Sequence, residues 1–317
     1  MHSVLFVFLD GFGMGECEPQ NPLFLHGMPC LEKKIGSKIV KNSHVSSSDT
    51  LLKGIDPCLG IPGIPQSATG QTSLLTGKNA QAALGYHLPA FPNDQLVSII
   101  ETGSIIKKVV DLGFRATFAN AYTDNYFERV SKKLGHSRTS GYSVTTHCVL
   151  AAGVPFRSLE DLKNNNAVYW DIKRTYLEKN GYKDIGQIDP FEAGNHLSRI
   201  GTDNELVLFE CFAPDLAGHK GSMEKAAKTL EIIDNFMCGI IESMGKEMDL
   251  VVCSDHGNIE DLSTGAHTEN PVPLLVIGPD TAMFKDITGI DQVTDAVINT
   301  IKSHAQSGIP EIGPSCK

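Results

Sequence analysis

Asp249-Leu250-Val251-Val252-Cys253-Ser254-Asp255-His256-Gly257-Asn258 decides how the chain is read. An apolar run fit for a buried strand stops at Ser254, and a carboxylate and an imidazole follow side by side. In open α/β sheets, ligands bind in the crevice beyond the carboxyl ends of the strands. Three more segments follow the same pattern. Ser3-Val4-Leu5-Phe6-Val7-Phe8-Leu9 ends at Asp10-Gly11. The run Glu205–Phe212 stops just before Asp215, with His219 four residues on. His267 sits in Gly265-Ala266-His267-Thr268-Glu269-Asn270-Pro271. Acidic and imidazole ligands converging on one sheet edge predict a metal centre with more than one ion.

Outward from these runs, strands alternate with helical stretches. The sequence predicts helices over Ser67–Leu75, Leu96–Leu112, Phe191–Arg199 and Met223–Met244. Strands are expected at Arg115–Ala119, Leu206–Phe212, Leu250–Cys253 and Pro273–Ile277. Gly77 and Gly113 stand where two of the helices should stop. The expected fold class is α/β, a mostly parallel sheet sandwiched by helices. From about 122 to 189 the chain is more polar and turn-rich, marked by Asn164-Asn165-Asn166. The expected organisation is a core from 1–121 and 190–317, with a small inserted cap over 122–189.

Composition narrows the function classes. The 317 residues are 41% apolar and 20% charged, as in ordinary soluble globular proteins. Lys+Arg 27 against Asp+Glu 37 gives a formal charge of −10, so no nucleic-acid partner is expected. Ser3–Leu9 lacks a basic leader and is interrupted by Asp10, so it reads as a first strand; neither a signal peptide nor a membrane partner is expected. Cysteines 17, 30, 58, 148, 211, 238, 253 and 316 form no CxxC pair. That pattern predicts free thiols and a cytoplasmic location.

The candidate ligands rest on position. Asp215 and His219, four apart, project from one face of a helix and can grip one ion. Ser67, opening a helix, is either a cap or a nucleophile. The free N–H groups of a helix N-terminus suit phosphate oxygens, and a bound metal activates a hydroxyl. Thr69 and Thr72 are competing hydroxyls. Lys220, Arg115, Arg129, Arg138 and Arg174 are candidates for binding substrate phosphate.

Taken in order, Asp10-Gly11, Ser67 through Gly77, Asp215-Leu-Ala-Gly-His219, Ser254-Asp255-His256-Gly257-Asn258 and His267-Thr-Glu-Asn-Pro-Val-Pro273 resemble the alkaline phosphatase superfamily. The likeness is strongest to its cofactor-independent phosphoglycerate mutase and phosphopentomutase branch, and it covers both ends of the chain but not the middle. It implies an alkaline phosphatase-like core. It also implies one ion on Asp10, Ser67, Asp255 and His256, a second on Asp215, His219 and His267, and Ser67 as nucleophile. Two divalent ions, zinc or manganese, are the implied cofactors. Gln71 stands where the mutase motif has a histidine and joins Lys220 as a candidate substrate contact. The insert is short and begins later than the large mutase domain. The expected activity is therefore hydrolysis of a small-molecule phosphate mono- or diester through a phosphoserine. A phosphomutase and a non-catalytic metal-binding protein are the alternatives.

Overall fold

The computed structural model describes residues 1–128 and 141–307. Arg129, Arg138 and Cys316 lie outside the described residues. At the centre is a sheet of β1 (Ser3–Leu9), β2 (Val45–Ser46), β3 (Thr50–Ile55), β4 (Ala116–Phe118), β5 (Leu206–Cys211), β6 (Met248–Cys253) and β7 (Val272–Ile277). Their spatial order is β2-β3-β7-β6-β1-β5-β4. β1 lies between β5 and β6, parallel to both, with Leu5 opposite Val207 on one side and Leu250 on the other. Every residue of these three strands is buried. A strand covered on both faces shows no polar side, so these segments read as apolar runs, interrupted only by Ser3, Glu210 and Asp249.

The helices that cover the sheet are α1 (Ser67–Thr76), α2 (Asp94–Gly103), α3 (Ile105–Asp111), α4 (Val144–Ala152), α5 (Pro190–Gly201), α6 (Ala213–His219), α7 (Met223–Ser243) and α8 (Val293–Ser307). Side chains alternate across a strand, and β1 divides them cleanly. Leu5, Val7 and Leu9 pack with Leu197 of α5 and Phe236 of α7. Val4, Phe6 and Phe8 pack with Leu74 of α1, Ile100 of α2, Val149 of α4 and Val297 of α8. Burying each of these large side chains contributes about 1.5–3 kcal/mol.

The structure departs from the sequence expectation in several places. The single helix expected over 96–112 is two, α2 and α3, because Ser104 takes an extended backbone between them. β3 was not expected. Lys53 and Gly54 break its apolar run, and its partner β7 is more than 200 residues away. The sheet is parallel through β4, β5, β1 and β6, but β7 runs antiparallel to β6, β3 to β7 and β2 to β3. Within 122–189, α4 joins the main apolar layer through Val144, Cys148 and Val149. Leu162, Tyr169, Leu177 and Ile185 form a small cluster of their own with Ala121.

The free-thiol expectation fails at one pair. Cys30 and Cys238 are bonded, with Cα atoms 6.3 Å apart, and they tie the helix Pro29–Ile35 to α7. A separation of 208 residues hides that contact from any spacing pattern. Cys17, Cys58, Cys148, Cys211 and Cys253 are free. Among the described residues no helix is long and apolar enough to cross a membrane.

α5 and α7 pack backbone to backbone at two glycines. A Cβ on Gly239 would lie 2.0 Å from the Phe191 carbonyl oxygen, and one on Gly194 would lie 2.2 Å from that of Phe236. Alanine gains about 1 kcal/mol of helix propensity over glycine. A backbone carbonyl cannot swing aside, however, so the helices must separate, and overpacking costs about 1–3 kcal/mol more. Gly239→Ala is therefore expected to lower the urea midpoint with the slope unchanged. An equal or higher midpoint would show that propensity outweighs the clash.

Candidate metal centre

The site lies at the carboxyl edge of β1, β5 and β6. β1 delivers Asp10, β5 leads into α6 with Asp215 and His219, and β6 runs straight into Asp255 and His256. Because β7 is antiparallel to β6, residues 254–271 leave and re-enter the sheet at the same edge, which keeps His267 there. Gly11, at φ +70°, lets the turn after β1 close onto α6: a Cβ there would lie 2.7 Å from Asp215 Cα.

Two sets of ligand atoms result. His256 Nε2 lies 3.0 Å from Ser67 Oγ, 3.3 Å from Asp10 Oδ1 and 3.4 Å from Asp255 Oδ2. In the second set, Asp215 Oδ1 is 3.4 Å from His219 Nε2 and 3.3 Å from His267 Nε2, and the two nitrogens are 3.2 Å apart. Ligands at 2.0–2.1 Å in tetrahedral array around one ion are spaced about 3.3 Å apart. The rings of His256 and His267 stack with centroids 3.7 Å apart, so the sets share a wall.

Hydrogen bonds orient the donors. His219 Nδ1 faces the Gly265 carbonyl at 3.1 Å, and His267 Nδ1 faces that of Pro65 at 3.0 Å. Donating from Nδ1 leaves the lone pair on Nε2, aimed inward. Asn258 Nδ2 donates to Asp215 Oδ1 at 2.7 Å. Ser254 Oγ accepts from Phe12 N and donates to the His256 carbonyl, both at 2.9 Å. Asp10 Oδ1 and Asp255 Oδ2, by contrast, are buried without a hydrogen-bond partner. A buried anionic oxygen left unsatisfied costs several kcal/mol. Divalent cations held between these atoms would remove that cost, so the residues present fit such ions.

The electrostatics agree. Burial, then the charges of Asp255, Asp215 and Glu210, hold the Asp10 carboxyl well above the usual range. Burial and the Asp215 charge push Asp255 up to about 7. Burial and the neighbouring His267 charge push His256 down to about 3, so its ring is neutral. Burial works against the shifts at both members of the Asp215–His267 pair. Even so, their hydrogen bond lowers Asp215 and raises His267.

The hydroxyls left open by sequence are now distinguishable. Gln66 is the cap of α1, without a side-chain capping bond, and Ser67 is the first helical residue. Thr69 Oγ1 donates to the Gln66 carbonyl at 3.2 Å and Thr72 Oγ1 to that of Ala68 at 2.6 Å. Gln71 is buried and donates to Asp10 Oδ2 at 3.1 Å, which makes it a support for Asp10. Lys220 lines a cavity of about 320 Å³ with Trp170, Leu216 and Lys228, which none of the seven ligand candidates borders. Arg115 turns to Glu205, and Arg174 donates to the Leu162 carbonyl at 3.3 Å.

Sequence inspection missed two buried acids. Glu210, inside β5, accepts from Thr145 Oγ1 at 2.7 Å, and burial raises it to about 7. Glu260 accepts from Gly13 N at 3.1 Å, Asn258 N at 2.7 Å and Asn270 Nδ2 at 3.1 Å, and from the Thr268 hydroxyl, holding the loop in shape. The only sequence signal was an acid within an apolar run at Glu210.

The sequence model of the metalloenzyme superfamily matches residues 192–306, the part carrying five of the seven candidate ligands. The chain has an alkaline phosphatase-like α/β fold. A Pyrococcus horikoshii protein of known structure is similar over 95% of this chain and 97% of its own, at a TM-score of 0.58 and 14% identity. The phosphoglycerate mutase of Leishmania mexicana is similar over 95% of each chain, at 0.50 and 13%. Among sequences, the 2,3-bisphosphoglycerate-independent phosphoglycerate mutase of Haloarcula marismortui is 33% identical over 98 residues, 29% of this chain and 19% of that protein. The mutase of the same description from Thiobacillus denitrificans is 29% identical over 111 residues, 32% and 22% respectively. The chain thus aligns with about a fifth of the length of these curated relatives.

The buried acids set a pH dependence for metal-free protein. A carboxyl raised on folding contributes stability that is complete below its unfolded pKa and is lost as pH rises through its folded value. Asp10, Asp255 and Glu210 all act in this direction, with Asp255 and Glu210 at about 7. His267, raised, has the same sign. His256, lowered, opposes them only below the unfolded histidine value of about 6.5. Protein stripped with a chelator should therefore lose stability from pH 6.5 to 8 in urea denaturation. Adding zinc should flatten that slope. A stripped protein more stable at pH 8 than at 6.5 would contradict this account.

Proposed function

We propose that this chain catalyses two-metal phosphoryl transfer through a phosphoserine at Ser67, hydrolysing small-molecule phosphate mono- or diesters. One observation carries the reading: Ser67 Oγ lies 3.0 Å from His256 Nε2, in the same set as Asp10 and Asp255, at the first turn of α1. Asp10, Ser67, Asp255 and His256 would hold one ion, and Asp215, His219 and His267 the other. Bound zinc or manganese would supply charge neutralisation on the phosphoryl oxygens and a lower pKa for the serine hydroxyl.

The chain's own residues do the rest. Ser67 Oγ gives its proton to solvent water and forms a bond to phosphorus as the bond to the departing ester oxygen breaks, and that oxygen takes a proton from water and leaves as the alcohol. The first-turn N–H groups of α1 face the non-bridging oxygens. Water then attacks the phosphoserine, releasing phosphate from a monoester substrate or a phosphate monoester from a diester, and restoring the hydroxyl. Gln71 and Asn258 keep Asp10 and Asp215 in place throughout.

Transfer back to a second hydroxyl, as in a mutase, is favoured by the names of the curated relatives. The four arginines among the described residues favour hydrolysis. Arg115, Arg157, Arg174 and Arg199 are all engaged elsewhere, with Glu205, Thr117, Leu162 and Asn165 respectively. None of these four is placed to take a phosphoglycerate carboxylate or phosphate.

Ser67→Ala should cut turnover of an aryl phosphate by at least about 10³-fold while the protein still binds zinc through Asp215, His219 and His267. Full turnover in that variant would remove Ser67 from the reaction. With the parent protein and a sugar phosphate or phosphoglycerate, release of inorganic phosphate is expected. An isomerised ester without release would establish the mutase instead.

A further inference from the structure

A second cluster of ligand-type side chains lies at the opposite edge of the sheet, where β1 and β6 begin and β7 ends. His2 precedes β1, Asp249 is the second residue of β6, Asp280 follows β7, and His304 projects from α8. The length of β1 separates this cluster from Asp10, about 20 Å at the usual rise of an extended chain. His2 Nε2 lies 2.8 Å from Asp249 Oδ2 and 3.4 Å from Asp280 Oδ2. These three atoms are grouped closely enough for one ion. The exposed Glu247 stands near His2 and His304 as a further carboxylate.

Two observations distinguish the cluster from an ordinary buried ion pair. The side chain of His2 is 2% exposed and that of Asp249 is 0% exposed. Yet neither ring nitrogen of His2 has a hydrogen-bond partner, and neither does Asp249 Oδ2. His2 Nε2 and Asp249 Oδ2 approach to 2.8 Å, a spacing that two neighbouring ligands of one ion can share. Meanwhile Asp280 N donates to Asp249 Oδ1 at 3.0 Å, which fixes the carboxylate with its other oxygen turned toward His2. Buried polar atoms are almost always partnered, and a cation would serve His2 Nε2 and Asp249 Oδ2 together without a donor, leaving the ring proton on Nδ1.

We propose that His2, Asp249 and Asp280 bind a single divalent transition-metal ion, separate from the centre around Ser67. An imidazole with two carboxylates suits zinc or manganese better than magnesium or calcium, which prefer all-oxygen shells. His304 is a positioning residue. Its ring stacks on His2 with centroids 3.7 Å apart and planes 2° from parallel. Two parallel stacked rings cannot both hold one ion in their planes. His304 Nε2 instead meets Asp280 Oδ2 at 2.6 Å and orients it. The ion would join the starts of β1 and β6, the turn after β7 and the last described helix, so its role is structural. The reaction does not use it.

The test counts zinc per chain in the full-length protein after dialysis against zinc and then buffer. His2→Ala and Asp280→Asn should each hold one zinc fewer than the parent, whatever the parent holds, with aryl phosphate turnover kept. His304→Ala should retain the ion but weaken it by about 10- to 100-fold, as removal of a ligand's supporting hydrogen bond does. Asp280 lies in a partly exposed turn. A variant there with native circular dichroism decides the matter even if His2→Ala fails to fold. Zinc content equal to the parent in folded Asp280→Asn overturns the proposal.

Discussion

Negative charge gathered in a dry place is the constraint from which the rest follows. Asp10, Asp215, Asp255 and Glu210 converge at one sheet edge, and burial holds the pKa of all but Asp215 above its ordinary value, hydrogen bonds and nearby histidines outweighing it at Asp215. Protein hydrogen bonds satisfy some of their oxygens, but Asp10 Oδ1 and Asp255 Oδ2 are left without any. Three imidazoles face them through Nε2, and these can compensate only by taking up protons or by sharing cations. His256, held neutral by its burial, is left with only the second course. The same atoms that make the site costly without cations are spaced as ligands around cations would be.

Strand directions make that gathering possible. Parallel β1, β5 and β6 all point their carboxyl ends to one edge, so three separate parts of the chain deliver acids and histidines to it. Antiparallel β7 adds a fourth, because the loop from β6 never crosses the sheet. The turn after β1 must pass against α6, and only a residue without a Cβ fits at Gly11. Behind this edge, the alternation of β1 between two apolar layers fixes its register, since a shift by one residue would exchange its faces. The position of Asp10 is therefore set by the packing of Phe6, Val7 and Phe8.

Much of this was legible in the chain because it is local. Apolar runs ending in Asp10, Asp215 and Asp255-His256 reveal both a buried strand and its functional end. The four-residue interval from Asp215 to His219 is a helical interval, and α6 is a helix. What stayed hidden depends on distant partners. Thr69 and Thr72 are as good as Ser67 on paper, and only their bonds to Gln66 and Ala68 remove them. Gln71 resembles a substrate contact until it is seen to hold Asp10. Glu260 and Glu210 are ordinary acids in the sequence and buried organisers in the fold. The antiparallel half of the sheet went unread because strand direction leaves no mark on residue order.

The sequence by itself determined the α/β class, the strands and helices that bracket the site, and the residue types that meet there. These follow from periodicity and from polar residues at strand ends, which act over a few neighbours. The tertiary structure alone decided which hydroxyl faces the ligands, which nitrogen of each histidine points inward, and which carboxylate oxygens lack partners. It also decided that His2 and His304 stack beside Asp249 and Asp280 across some 300 residues of chain. Those outcomes depend on distances of a few ångströms between segments remote in sequence, and only the packing of the whole sheet and its helices sets such distances.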